Sequence, residues 1–346
     1  NRLNSHSRKD DFIARLGGDE FTIVVRSVPD EIALGRIAEN LINVLSQKFN
    51  ILDNEVYITG SIGIAVYPDQ GRNVNDLLKN ADTAMYFAKD QGKGCFRFWN
   101  EDLKSQSETR LRMASNLRSA ISNNEFQLYY QPKVDTESCA LVGFEALLRW
   151  NSKADGFIPP DLFIPVAEET GMIMHIGEWV FYRVAEQILE WQQQGFRVVP
   201  VSVNVSAKQF SHAEIQLTDL IEKVAHDVGI APSLFDVELT ETQVMHSPDK
   251  TIEILRQLNS INVSASIDDF GTGYSSLSYL RRFPVTTIKI DKSFVRDLEI
   301  DQSDVDLARS IIEMGHSIGL KVVAEGVETL GQQYLLREMK CDYLQG

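Results

Sequence analysis

Cysteine is scarce in this sequence. The 346 residues include three, Cys95, Cys139 and Cys341, widely spaced and odd in number. They build neither a disulfide framework nor the paired spacing of a zinc site, and they fit a reducing, cytoplasmic compartment. Six histidines are scattered without metal-ligand spacing. Long apolar runs are missing: none approaches the roughly 20 residues that span a bilayer. The start, Asn1-Arg2-Leu3-Asn4-Ser5, lacks the apolar stretch of a signal peptide, so the segment reads as soluble. Basic residues are in deficit, 34 Lys+Arg against 49 Asp+Glu, a net charge of −15. The deficit is uneven. Residues 1–100 carry 12 basic and 13 acidic side chains, and residues 101–346 carry 22 and 36. With no basic excess to neutralise phosphates, a nucleic acid polymer is excluded as the ligand. A small anion remains compatible if metal ions invert the local field. The Gly-x4-Gly-Lys-Ser/Thr loop that cradles nucleotide phosphates is also absent.

What is present is enough chain for two cores, with 43% hydrophobic residues. The first hundred residues read as mixed α/β. Residues 15–25 predict two strands joined by a two-glycine turn, with Gly17-Gly18-Asp19-Glu20-Phe21 at its centre. Ile32, Leu34, Ile37, Leu41, Ile42 and Leu45 recur at helical spacing, and so do Leu77, Leu78, Ala81, Met85 and Ala88. Residues 57–66 alternate like a strand, and Gly92-Lys93-Gly94 breaks the second helix. The polar stretch 100–112 predicts a helical connector feeding a further helical pattern over 113–122.

Beyond it, short apolar strands recur at 126–131, 141–148, 198–205, 235–239, 263–267, 287–290, 321–324 and 343–344. Helical segments lie between them, including 178–193, 213–228, 249–259 and 303–318. Such alternation predicts parallel pairing. Eight strands in about 225 residues match the count and length of a (β/α)8 barrel. A doubly wound open sheet meets the same periodicity.

Polar residues at the strand ends separate these readings. Glu145 closes the second strand, Asn204 lies near the end of the third, and Glu238 lies in the fourth. Asp268 and Asp269 end the fifth, Lys289 and Asp291 the sixth, Glu325 the seventh and Gln345 the eighth. A barrel delivers all these ends to one mouth. A lone acid after a strand is most often a helix N-cap, but capping does not explain acids inside strand-like runs at successive positions. Carboxylates gathered this closely repel unless a cation sits among them. Oxygen donors without His or Cys select a hard cation such as Mg²⁺ or Mn²⁺. Two such ions sharing a carboxylate form the site that activates water against a phosphoester, with Lys289 orienting the water or balancing charge.

These residues carry a resemblance. Glu145-Ala146-Leu147-Leu148-Arg149-Trp150 is similar to the signature of the EAL family of cyclic di-GMP phosphodiesterases. Tyr130-Gln131-Pro132-Lys133, Val203-Asn204-Val205-Ser206, Glu238-Leu239-Thr240-Glu241, the run from Asp268 to Leu277, Lys289-Ile290-Asp291, the run from Ala324 to Thr329 and Tyr343-Leu344-Gln345-Gly346 follow in order. The resemblance covers about 113–346. It implies a TIM-like barrel that hydrolyses cyclic di-GMP to linear pGpG with two Mg²⁺ or Mn²⁺ ions. By the same resemblance, Glu145, Asn204, Glu238 and Asp268 hold one ion, and Asp268, Asp269 and Glu325 serve the second. Lys289 lies near the nucleophilic water, and Glu325 is also a proposed general base. Gln131, Arg149 and Gln345 contact substrate or ordered water. Glu241 braces the Asp-Asp-Phe-Gly loop close to a dimer contact, and a homodimer is implied.

Residues 1–99 resemble the C-terminal portion of a GGDEF, diguanylate cyclase-like domain. Gly17, Gly18, Asp19, Glu20 and Phe21 are its signature, supported by Ser61-Ile62-Gly63 and by the run from Ala81 to Lys89. There Asp19 would ligate metal, and Lys89 and Lys93 match positions that meet phosphates. Arg8 and Asp11, five residues before the double glycine, resemble the RxxD inhibitory site that binds the cyclic dinucleotide. The family's upstream half lies outside these 346 residues, and Gly94 replaces its usual asparagine. The segment is therefore read as regulatory, with GTP as a further ligand, and not as a cyclase by itself. At the other end the family pattern runs a few residues past Gly346. Three readings follow: a phosphodiesterase, a non-catalytic cyclic di-GMP receptor, and a bifunctional cyclase and phosphodiesterase. Receptors of this kind lose one or more of the acids, and this chain keeps them all.

Overall fold

The computed structural model describes residues 2–8, 10–51, 54–90, 92–211, 217–273 and 277–346. It divides into two compact units, Asn1–Arg112 and Met113–Gly346. In the first, Phe12–Gly17 and Glu20–Val24 form an antiparallel hairpin, and two helices, Glu31–Ser46 and Val74–Asp90, follow. Asp30 starts the first of these, its side chain accepting the Ala33 N–H at 2.7 Å. The strand expected over 57–66 narrows to Ile62–Ile64, because only these residues find a partner, in Phe96–Phe98. Gly63 is required there: a Cβ would lie 1.9 Å from the Ala81 carbonyl oxygen of the helix that crosses it. An antiparallel pairing of Phe49–Ile51 with Asn54–Val56 has no counterpart in the sequence reading.

The polar stretch 100–112 and the pattern beyond it form one helix, Glu101–Ala120. Asn100 caps its start by accepting the Leu103 N–H at 2.9 Å. Three buried residues, Met113, Leu117 and Ala120, lie towards its end. This spacing of three and four commits that end to the core of the second unit.

Eight strands close the second unit into a barrel. They are β1 (Phe126–Asp135), β2 (Leu141–Ser152), β3 (Val201–Asn204), β4 (Phe235–Thr240), β5 (Ser264–Phe270), β6 (Thr287–Ile290), β7 (Lys321–Glu325) and β8 (Tyr343–Gln345). Strands β2 to β8 pair in parallel, in order. Strand β1 closes the ring and runs antiparallel to both neighbours, β8 and β2. This corrects the expectation of uniform parallel pairing. Only five residues join β1 to β2, enough for a hairpin and too few for the crossover that a parallel pair needs. Glu145 also does not close its strand. Strand β2 runs seven residues further, to Ser152, because β1 and a short strand, Gly156–Ile158, extend the sheet beyond the ring. The 198–205 strand shortens to β3, and β5 continues through both aspartates to Phe270.

Residue alternation sorts the two faces of the ring. Val201, Val203, Phe235, Val237, Leu239, Ala265, Ile267, Ile288, Ile290, Val322, Ala324 and Leu344 belong to the buried apolar core that packs under the helices. Their alternates, among them Ser202, Asn204, Asp236, Glu238, Ser266, Asp268, Lys289, Glu325 and Gln345, face the lumen. Barrels of this class usually fill the lumen with branched aliphatics; this one fills it with polar groups. The expected helices are present as Met172–Gln193, Pro248–Ser260 and Gln302–Ser317. The fourth is described as Leu217–Val228, the start expected at 213–216 lying outside the described residues.

Candidate active site

Lys289 is the centre of the lumen. It lies on the inner face of β6, is fully buried, and its Nζ meets carboxylates from four other strands. Glu325 Oε1 lies at 2.5 Å, Glu238 Oε2 at 2.6 Å, Glu145 Oε2 at 3.1 Å and Asp268 Oδ2 at 3.2 Å. Three amides complete the layer. Asn204 Nδ2 donates to Glu145 Oε1 at 2.6 Å. Gln345 Nε2 donates to Glu145 Oε2 at 2.5 Å and to Gln131 Oε1 at 3.0 Å. The register explains the meeting: Gln131 lies directly opposite Glu145, Asn204 beside Glu238, and Glu325 beside Gln345.

A second ammonium lies beneath. Lys133, on the inner face of β1, donates to Glu238 Oε1 at 2.5 Å and to Ser202 Oγ at 2.6 Å. Ser202 and Ser266 in turn donate to Asp236 Oδ2 at 2.7 and 2.9 Å. These groups, with Thr287 and Tyr343, line a cavity of about 140 Å³ at the other end of the barrel. The sequence reading gave Lys133 and Asp236 no role of their own. The signal was available: each lies two residues from a lumen-facing partner, Gln131 and Glu238, so a period of two places it on the same face.

The electrostatics follow from crowding in a dry site. Burial works to raise the Glu238 carboxyl, yet Lys289 and Lys133 outweigh it and hold that carboxyl at about 2. Burial pushes Asp268 up to about 8; Lys289 opposes the rise and the neighbouring carboxylates add to it. Burial likewise raises Glu325, against the pull of Lys289. Lys289 itself is held well above the usual lysine range, because four carboxylates outweigh its desolvation. Two ammoniums, Lys289 and Lys133, facing these four carboxylates and Asp236 still leave an acidic excess in a buried space.

That excess fits a cation. Carboxylate oxygens of Glu145, Glu238 and Asp268 all lie within 4.8 Å of one another. The donor set is oxygen alone, suited to a hard divalent ion. Gln345 Oε1 is buried beside this set without a hydrogen-bond partner among the described residues. Asp269 stands one residue beyond Asp268, partly exposed, with φ +53°. Burial, reinforced by Asp291, raises its carboxyl. The turn that follows is braced by the first residue of the helix after β4, Glu241–His246. Buried Glu241 accepts the Gly271 N–H at 2.8 Å and the Gly273 N–H at 3.4 Å. Gly273 leaves room for this, since a Cβ there would lie 2.8 Å from Glu241 Oε1. The motif continues into residues 274–276, outside the described residues.

Other expected site residues lie apart from this cluster. Arg149, at the outer end of β2, donates to the Leu148 carbonyl at 3.0 Å. In the first unit, Asp19 and Glu20 are exposed at the hairpin turn. Arg8 and Asp11 close a turn of their own, the Arg8 N–H donating to Asp11 Oδ2 at 2.8 Å. Lys9 lies outside the described residues. Lys89 lies in the last turn of its helix and Lys93 occupies the next turn.

A comparison with family models matches residues 114–346 to the EAL domain. The chain belongs to the EAL domain family. Residues 1–95 match the diguanylate cyclase, GGDEF domain model, so the EAL domain follows a GGDEF segment. The bifunctional diguanylate cyclase/cyclic di-GMP phosphodiesterase MucR of Pseudomonas aeruginosa is 41% identical over the whole chain, which spans 50% of that protein. The cyclic di-GMP phosphodiesterase PdeR of Escherichia coli is 36% identical over 97% of the chain, again with 50% of its own length matched. The chain thus spans about half the length of these curated relatives. Among solved structures, the PaMucR phosphodiesterase in complex with c-di-GMP is 41% identical. It superposes with a TM-score of 0.65 over 68% of this chain and 94% of its own. No described helix of the EAL domain or of the GGDEF segment is long and apolar enough to cross a membrane.

Proposed function

We propose that the EAL domain hydrolyses cyclic di-GMP to linear pGpG. The observation that carries this reading is the buried cluster of Glu145, Glu238 and Asp268 around Lys289. Relatives named as cyclic di-GMP phosphodiesterases support the substrate. Glu145, Asn204, Glu238 and Asp268 hold one Mg²⁺ or Mn²⁺, and Asp268, Asp269 and Glu325 hold a second. When bound, such ions acidify water and stabilise the charge that develops on phosphate oxygens. Glu325, raised by burial and adjacent to Lys289, accepts the proton of the attacking water. Lys289 fixes the direction of the carboxylates, and Gln131, Gln345 and Arg149 hold the phosphodiester. The product keeps its phosphate on O5′, so the P–O3′ bond breaks and O3′ takes up a proton.

Residues 1–99 form the C-terminal portion of a GGDEF domain, a regulatory module that binds GTP or, at Arg8 and Asp11, the cyclic dinucleotide. Residues 100–112 are its connector to the domain at 113–346. The EAL domains pair as a homodimer, with Glu241 close to the contact. Three cysteines without disulfide partners support a cytoplasmic setting.

The test is hydrolysis of cyclic di-GMP in Mn²⁺ or Mg²⁺, followed by chromatography. The wild-type chain should release pGpG, and Glu145→Gln should lose about a hundredfold or more of the rate. Full activity in that variant would refute the reading.

A further inference from the structure

The inner face of β1 does not stop at the acidic layer. Lys133 and Gln131 point into the lumen, where they meet Glu238 and Gln345. Tyr130 turns outward onto Trp191, with ring centroids 5.2 Å apart. Alternation makes Tyr129 the next inward residue, about 7 Å above Gln131 along the strand. Its register partner is Leu147, just as Gln131 is opposite Glu145 and Gln127 opposite Arg149.

Tyr129 is 56% exposed. Leu147 takes no part in the apolar core, although its neighbours Ala146 and Leu148 do. The Arg149 guanidinium carbon lies 5.5 Å from the Tyr129 ring centroid. Among the described residues its one hydrogen bond goes to a backbone carbonyl. A flat aromatic ring, an aliphatic side chain and a guanidinium therefore share the rim directly above carboxylates and amides. Those polar groups answer to a phosphodiester. An apolar pair at this height does nothing for phosphate, but it suits a flat, apolar-faced group joined to the phosphate through one sugar.

We propose that Tyr129, backed by Leu147 and flanked by Arg149, is the stacking seat for one guanine base and so a specificity-determining residue. The proposal rests on cyclic di-GMP being the ligand. Stacking of a base on an aromatic side chain is worth about 1–3 kcal/mol, a factor of about 5 to 150, and a guanidinium beside the ring strengthens it.

Tyr129→Phe, Tyr129→Leu and Tyr129→Ala in the full chain provide the test. Tyr129 is exposed, so all three should melt as the wild type does. KM and kcat for cyclic di-GMP are measured in Mn²⁺, and the dissociation constant of the metal-free protein by calorimetry. Tyr129→Phe should match the wild type. Tyr129→Ala and Tyr129→Leu should raise KM and the dissociation constant about tenfold, with kcat within about threefold. Wild-type values in Tyr129→Ala, or equal performance of Tyr129→Leu and Tyr129→Phe, would overturn the base seat and leave the proposed activity standing. A wild-type chain that neither binds nor hydrolyses the dinucleotide would overturn both.

Discussion

Lys289 and Lys133 share one carboxylate. Each takes a different oxygen of Glu238, which is itself 1% exposed. The two ammoniums fix that carboxylate in a single orientation, with Oε1 turned to the floor and Oε2 to the acidic layer. Removing one partner of a buried pair leaves the other charge uncompensated, at a cost of about 3–5 kcal/mol. Lys133→Met leaves Glu238 with Lys289 as its remaining partner, so it should destabilise the EAL domain by less than that, about 1–3 kcal/mol in urea denaturation, although it deletes no group from the acidic layer. An unchanged midpoint would contradict this. The acidic layer itself was legible in the sequence, because its members recur within or at the ends of successive apolar strands. The floor was not. Lys133 and Asp236 sit mid-strand among apolar neighbours, where only their period-two relation to Gln131 and Glu238 betrays the inward face.

At the scale of elements, the existence of the eight barrel strands was readable and their direction was not. Val201 and Val203, or Ile288 and Ile290, give the same pattern whichever way a strand runs. The short link 136–140 was the sole local sign that β1 turns straight back. The last strand, β8, spans only Tyr343–Gln345 and needs outside support. Asp342 supplies it. Its carboxylate accepts from Lys321 Nζ at 2.6 Å and the Val322 N–H at 3.0 Å, and lies 2.7 Å from His316 Nε2. Burial works against the ionised form, yet these partners hold the Asp342 carboxyl below the usual aspartate range. A depressed pKa stabilises the fold above the unfolded value, about 3.9, and the contribution fades as pH falls through the lower folded value. Asp342→Asn should cost about 1–2 kcal/mol at pH 7. The gap to the wild type should close as pH drops below about 4. Stability curves for both proteins from pH 7 to 2.5 check this, and a gap of constant size would contradict it.

Across the whole molecule, the acidic excess seen in composition resolves into a few lumen carboxylates and a larger surface remainder that position in the fold, not net charge, tells apart. A cation that binds the folded lumen and not the unfolded chain stabilises by mass action, about 2.7 kcal/mol at a hundred times its dissociation constant. For a domain of this size that is about 5–10 °C in melting temperature. Saturating Mn²⁺ should raise the melting temperature of the wild type by this much, and Glu145→Gln should blunt the shift. An equal shift in both would place the ion elsewhere. The backward run of β1 has one more consequence. In an all-parallel barrel the chain comes in at the floor, remote from the strand ends that carry chemistry. Here it comes in at the rim, since Phe126 opens β1 opposite Trp150 and the strand descends past Arg149 and Glu145 towards the floor. A pull or twist on the helix end that precedes β1 is thus delivered first to the rim, along the same backbone ladder that holds Gln131 across from Glu145.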